Sequence, residues 1–152
     1  MTPENEPKAP AAESEKLWLQ AAQIFLNSSD RPVERFSPAA LAYLGDAVYE
    51  LYMRTYYLEP PRRIQTYHRQ VVAQVRAEAQ AHHLQQVEKH LTDLEKEVLR
   101  RGRNATPKRR SRATPKIYQQ ATSFETLIGY LYLTDISRLK AVLDLLELPT
   151  TE

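Results

Sequence analysis

Cysteine is absent from the 152 residues, which excludes disulfides and thiolate metal sites, so any bound metal must be held by oxygen or imidazole ligands. Glycine is nearly absent as well, at three residues. The motifs G-x-x-x-x-G-K-[ST], G-x-G-x-x-G, H-E-x-x-H and G-x-S-x-G do not occur, which argues against nucleotide-cofactor and catalytic-triad enzymes. No apolar run approaches about 18 residues, and the N-terminus M-T-P-E-N-E-P-K has no basic stretch followed by an apolar one. The expectation is a soluble, unexported, cytoplasmic protein. No period-2 alternation of β-branched residues is found, nor any internal repeat, so strands are not expected.

What is present is helical spacing. Residues 1–14 are rich in Pro, Ala and Glu with nothing to bury, and are expected to be a disordered tail. From Glu13 to Asn27 the apolar positions Leu17, Trp18, Ala21, Ile24 and Phe25 predict a first helix. Ser37-Pro38 supplies an N-cap and an N1 proline for a second helix, which reaches about Leu58 before Pro60-Pro61. A third stretch runs from Arg62 to His90 with one break, and a fourth from Thr92 to Arg101, where T-D-L-E has the pattern of a capping box. Gly102 to Ala121 lacks apolar periodicity, contains T-P twice, and reads as an irregular loop; helices over Ser123–Leu133 and Ile136–Leu148 follow. The expected fold is all-α, a helical bundle in one domain over 15–148.

The net charge of +2 conceals an uneven distribution. Eight basic and no acidic side chains lie between Arg100 and Lys116, so the rest of the chain carries 21 − 8 = 13 basic against 19 acidic groups, a net of −6. A polyanion would therefore meet this chain on one face only. Such a run serves nucleic-acid binding in some proteins and is merely solvated in others.

Two carboxylates stand out. Asp46 lies in L-A-Y-L-G-D-A-V-Y-E and Glu125 in S-F-E-T-L-I-G-Y-L-Y-L, each in a strongly apolar run; carboxylates seldom occupy such places unless paired with a charge or a metal. A helical wheel puts Leu41, Leu44, Val48, Leu51 and Leu58 on one face, with Asp46, Glu50 and Arg54 in a stripe opposite. A plain Glu50–Arg54 ion pair on a solvated strip is the bland account of that stripe. Glu125 has its own: with Thr122 as N-cap, T-S-F-E is a capping box. Gly45 and Gly129 lie inside apolar helices, where glycine costs about 1 kcal/mol relative to alanine and marks close approach of a backbone or a ligand. At about 100° per residue Gly129 lies about 40° from Glu125, and Gly45 directly precedes Asp46. Two carboxylates facing each other across such helices make a hard oxygen pocket suited to Mg2+ or Mn2+, and near arginines that suggests metal-assisted attack on a phosphodiester. The four histidines have no partner at metal-ligand spacing and are assigned structural or surface roles; the nine tyrosines are mostly core.

The segment L-A-Y-L-G-D-A-V-Y-E resembles the signature helix of ribonuclease III catalytic domains. R-G-R-N-A followed by S-F-E-T-L-I-G-Y-L-Y-L resembles the family's closing helix, in the Mini-ribonuclease III branch that lacks an appended double-stranded-RNA-binding domain. The resemblance covers about residues 36–147. It implies an all-α endonuclease that acts as a homodimer on double-stranded RNA with Mg2+, or Mn2+ in its place, leaving a 5′-phosphate and a 3′-hydroxyl. The implied substrate is the precursor of large-subunit (23S) ribosomal RNA, with a ribosomal protein assisting on it. Asp46 matches the signature aspartate and Glu125 the metal-binding glutamate. Two further family carboxylates are replaced here by Ala42 and Thr122, so water and RNA phosphates must complete the coordination sphere, with Glu50 expected to compensate from one turn away. The expected RNA contacts are Arg101, Arg103, Asn104, Lys108, Arg109, Arg110, Arg112 and Lys116, and the apolar faces around Tyr43, Tyr49 and Tyr130 are candidate dimer seams. A non-catalytic RNA-binding or ribosome-associated module keeping this fold is the alternative; loss of two carboxylates suits it, but such a module need not retain Asp46 and Glu125, as this chain does.

Overall fold

The computed structural model describes residues 32–106 and 114–150. The first expected helix, Glu13–Asn27, lies outside them. After a 3-10 turn at Val33–Arg35 come α1 (Pro38–Tyr56), α2 (Ile64–Val75) and α3 (Ala77–Val87), then a second 3-10 turn at Glu88–His90, α4 (Asp93–Asn104), α5 (Pro115–Thr134) and α6 (Ile136–Leu143). Among the described residues there is no strand, as the missing period-2 pattern requires.

Local chemistry sets most of these ends. Ser37 accepts a hydrogen bond from the Ala40 N–H at 3.1 Å and starts α1 with Pro38 in its first turn. Thr92 and Glu95 form the expected capping box at α4: the Thr92 hydroxyl accepts from the Glu95 N–H at 3.2 Å, and the Glu95 carboxylate accepts from the Thr92 N–H at 2.9 Å. Glu95 is buried and also bound by Arg138, at 2.7 and 3.0 Å. Arg138 donates further to the His90 carbonyl at 2.8 Å, tying α6 to the start of α4. The single break expected between Arg62 and His90 falls at Arg76, whose ψ of 156° leaves the helical region.

Three boundaries differ from expectation. The loop expected over 102–121 is helical at both ends, because α4 continues to Asn104 and α5 begins at Pro115. Thr114-Pro115 repeats the Ser37-Pro38 device: Thr114 accepts from the Ile117 N–H at 3.3 Å and proline fills the first turn. The third difference is α6, which ends at Leu143, with Leu146 and Leu148 packed on the core in irregular chain.

α5 is the central element, packed by α1, α3 and α4. Phe124, Leu127 and Ile128 on α5 and Tyr49 and Met53 on α1 are wholly buried; each aliphatic or phenyl side chain so buried contributes roughly 1.5–3 kcal/mol. The face α1 turns inward is Leu41, Ala42, Gly45, Tyr49 and Met53, not the leucine face expected from the wheel. Leu51 is 66% exposed and Leu58 57%. Small residues decide this orientation: Ala42 and Gly45 admit the backbone of α5, and the aromatic and thioether side chains fill the space beyond.

Candidate active site

The crossing of α1 and α5 is a contact of main chains. A Cβ built on Gly45 would overlap the Glu125 carbonyl oxygen and sit 2.8 Å from the Gly129 nitrogen; one built on Gly129 would overlap the Leu41 carbonyl oxygen. Both glycines therefore mark close helix approach, as their positions in apolar helices suggested. Asp46 follows Gly45, and Glu125 precedes Gly129 by one turn, so the same contact brings the two carboxylates together.

Burial pushes the Glu125 carboxyl up to about 7; the Gln80 amide, hydrogen bonded to it, opposes that shift, while the charge of Asp46 and a hydrogen bond with Asp46 add to it. Asp46 lies on an exposed position, but shielding of its carboxyl at the crossing raises its pKa, the Glu50 charge adds to this, and the hydrogen bond with Glu125 works against it. Shielding at the crossing thus favours the protonated form of both groups, and most strongly that of Glu125. Glu125 stands in the eleventh position of α5, far from the Thr114 N-cap, and Thr122 makes no cap there: its carbonyl accepts from the Thr126 hydroxyl at 2.8 Å. The capping-box account of Glu125 is thereby removed.

Ala42 is buried and Thr122 half-buried at the places of the missing carboxylates, and among the described residues no group of three or more His, Cys, Asp or Glu could hold a metal ion. Two carboxylates on facing helices, one of them shielded from water, nevertheless fit a hard divalent cation, which would stabilise their ionised forms and accept water and phosphate oxygens at its open positions. Glu50 is ion-paired to Arg54, with Nη2–Oε1 at 2.5 Å, and reaches Asp46 through its charge.

The residues behind the pair escaped sequence reading. Gln80 on α3 is 2% exposed, and its Nε2 donates to the Val75 carbonyl at 2.8 Å. One turn later His83 is buried, with its Nδ1 against the Tyr49 hydroxyl, which itself donates to the Gln74 carbonyl at 2.9 Å. That donation requires the His83 Nδ1 to carry the proton. Burial, with the neighbouring His82, pushes His83 down to about 4 and keeps it neutral. The available signal was a polar pair in apolar register: Gln80, His83, Leu84 and Val87 follow i, i+3, i+4, i+7.

The basic residues gather at the junction of α4 and α5. Arg101 and Arg103 are exposed in the last turn of α4, Asn104 ends it, and Lys116 is exposed in the first turn of α5. Lys108, Arg109, Arg110 and Arg112 lie outside the described residues. Gly102, between the two arginines, fits α4 against α5: a Cβ there would stand 2.6 Å from the Thr126 hydroxyl oxygen. Of the candidate seam residues Tyr49 is excluded, being wholly buried, while Tyr43 is 86% exposed. No helix among the described residues is long and apolar enough to cross a membrane.

A family model described as "Ribonuclease III domain" matches residues 39–135. Among similar proteins, a Mini-ribonuclease 3 of Synechocystis sp. is 58% identical over 134 residues, covering 88% of this chain and 91% of the relative. A Mini-ribonuclease 3 of Thermosynechococcus vestitus is 52% identical over 115 residues, 76% of each chain, and one of Clostridium tetani 36% identical over 117 residues, 74% of this chain and 78% of the relative. The crystal structure of a Fusobacterium nucleatum protein superposes with a TM-score of 0.70 at 29% identity, covering 76% of this chain and 96% of that one.

Proposed function

The chain belongs to the ribonuclease III family of endoribonucleases, among its Mini-ribonuclease III members, and on that premise we propose that it hydrolyses phosphodiester bonds of double-stranded RNA at the Asp46–Glu125 pair. The observation that carries this reading is the apposition of those two carboxylates by the Gly45–Gly129 crossing. Mg2+ is the cation proposed, with Mn2+ in its place; held by Asp46 and Glu125, it would acidify the attacking water and neutralise charge on the phosphoryl group. Asp46 is the exposed member of the pair, and half-buried Glu125 would give up its proton on holding the cation. Arg101, Arg103, Asn104 and Lys116, with Lys108, Arg109, Arg110 and Arg112, supply phosphate contacts, since duplex RNA is recognised mainly through phosphates and 2′-hydroxyls.

A homodimer is part of the proposal. Tyr43, Ala47 and Leu51 form an exposed i, i+4, i+8 stripe on α1 beside Asp46. A two-fold axis along it would present two carboxylate pairs to opposite strands. The proposed substrate is the precursor of 23S ribosomal RNA in the cytoplasm, held by a ribosomal protein that assists cleavage. Purified protein given duplex RNA and Mg2+ should produce 5′-phosphate ends, and Asp46→Asn should abolish them. Binding without cleavage by the unaltered protein would instead favour the non-catalytic module, to which Ala42 and Thr122 lend some support. In cells, deletion of the gene should leave 23S precursor ends unprocessed.

A further inference from the structure

α1 carries one basic residue, Arg54, in its last turn. It stands eight positions after Asp46 and four after Glu50, so the three side chains follow one line along the helix over about 12 Å. All three reach solvent, Asp46 and Arg54 being exposed and Glu50 half-buried. The Arg54 guanidinium is turned back along this line toward Asp46, with Nε at 3.1 Å and Nη2 at 2.5 Å from the same oxygen, Glu50 Oε1. Two of its five N–H groups are used in this way, and the edge formed by Nη1 and the second Nη2 proton stays open among the described residues. The Tyr67 hydroxyl donates to the Arg54 carbonyl and holds the turn that carries the group. The crossing fixes where the line leads. Leu41 meets Gly129, Gly45 meets Glu125, and the Tyr49 ring stands edge-on to that of Phe124, so α1 advances past α5 in the opposite sense. Beyond the carboxylate pair, the C-terminal turns of α1 and the N-terminal turns of α5 therefore leave at the same end, one with Arg54 and the other with Lys116. Asp46, Glu50 and Glu125 make that approach acidic, and a polyanion entering it needs a cationic group on the α1 side as well as on the α5 side.

We propose that Arg54 binds a phosphate of the RNA strand lying against α1, and that Glu50 is the positioning residue that turns its guanidinium toward Asp46. The proposal rests on the reading of the Asp46–Glu125 pair as the site of duplex RNA cleavage. A guanidinium edge with free N–H groups on both nitrogens matches two oxygens of a phosphate. An exposed i, i+4 ion pair is weak in itself and does not hold that edge away from a substrate. Glu50 in this role serves the guanidinium rather than the cation. Lys116 on α5 and Arg54 on α1 then hold the RNA from the two helices that carry the carboxylates.

The test uses the whole metal-free protein and a short RNA duplex, with affinity followed by filter binding across a salt series. Arg54→Ala is expected to weaken binding about tenfold and to lower the salt slope by about one, as loss of one phosphate contact requires. Arg54→Lys should recover only part of this, and Glu50→Gln should weaken binding by a smaller factor. A plain surface ion pair predicts the reverse for Glu50→Gln, because removing a negative charge from a polyanion-binding face tightens binding. That result, or unchanged affinity in Arg54→Ala, would overturn the proposal. Placement is read from duplexes in which one phosphate beside the cleaved bond is a neutral methylphosphonate. At the contacted phosphate the loss seen with the unaltered protein should vanish in Arg54→Ala, and equal losses in both proteins at every position would overturn the contact. If Arg54→Ala changes the oligomeric mass in sedimentation and leaves duplex affinity unchanged, the ion pair belongs to the seam beside Tyr43 and the proposal falls. Cleavage of the same duplex with Mg2+ separates the two levels. If the unaltered protein cuts, Asp46→Asn does not and Arg54→Ala binds at full affinity, the phosphate contact alone fails; if the unaltered protein does not cut, the cleavage reading fails and takes the contact with it.

Discussion

Gly45 and Glu125 touch through their main chains: the Glu125 carbonyl oxygen occupies the space that a side chain at position 45 would need. The neighbour that would have to give way is backbone of the helix carrying the second carboxylate, so relief of the overlap and integrity of the site are opposed.

Gly45→Ala should consequently destabilise by 3 kcal/mol or more, at or beyond the upper end of the usual 1–3 kcal/mol for overpacking, and any folded fraction should have lost RNA cleavage. Gly129→Ala should behave likewise, because its added Cβ meets the Leu41 carbonyl. Thermal unfolding with a parallel cleavage assay checks both; an active Gly45→Ala protein of ordinary stability would contradict the crossing.

The raised pKa of Glu125 sets two pH dependences. Its value of about 7 in the folded chain lies above the ordinary 4.5, so its contribution to stability is complete below about 4.5 and lost as pH rises through 7. Metal-free protein should lose stability between pH 5 and 8 from this group, and Glu125→Gln should flatten that limb. His83 acts in the opposite sense: held near 4 instead of 6.5, it contributes stability above 6.5 that is lost as pH falls through 4. With cation present, calorimetry in buffers of different ionisation enthalpy should show proton release near pH 7 and affinity rising with pH.

Arg138→Ala should cost about 3 kcal/mol, in the range for breaking a buried pair, because Glu95 would keep a carboxylate only 4% exposed without its guanidinium. Arg138→Lys should recover little, since one ammonium nitrogen lacks the planar fork by which Nε and Nη2 meet the two Glu95 oxygens while Nη2 also reaches the His90 carbonyl. Urea denaturation gives the magnitudes. Cleavage below the melting temperature should be unaffected, this ion pair being remote in role from the carboxylate pair.

RNA affinity should fall steeply with salt. If the basic segment neutralises about five phosphates, log K should decrease with log salt at a slope of several units, and removing Arg101, Arg103 or Lys116 singly should each reduce that slope by about one. Filter binding of a short duplex across a salt series measures it, and a flat dependence would assign affinity elsewhere.

Much of this was legible in the sequence because the signals were local. Ser37-Pro38, the Thr92–Glu95 box and the pair of mid-helix glycines each express a constraint within a few residues, and each is found in the structure. Asp46 and Glu125 were conspicuous for the same reason, as charges in apolar runs. The misreadings arose where the partner decides. The buried face of α1 follows the small residues that α5 requires, which a wheel of hydrophobicity cannot register. Thr114-Pro115 is punctuation in one context and a helix start in another, and the apolar residues that anchor α5 lie a turn or more downstream. Gln80 was missed and His83 left without a partner because their one mark, an apolar register shared with Leu84 and Val87, is faint until the neighbouring helices bury it.

All three glycines of the chain are placed against α5 or within it, and no described residue takes a positive φ. The distance between the roots of Asp46 and Glu125 is accordingly a main-chain dimension, set where two helices touch and adjustable only by their separation. Ions differing slightly in radius would then be accommodated by the rotamers of two side chains and by exchangeable oxygen ligands. The scaffold supplies a fixed gauge, and discrimination among similar cations falls to solvent and to the nucleic acid.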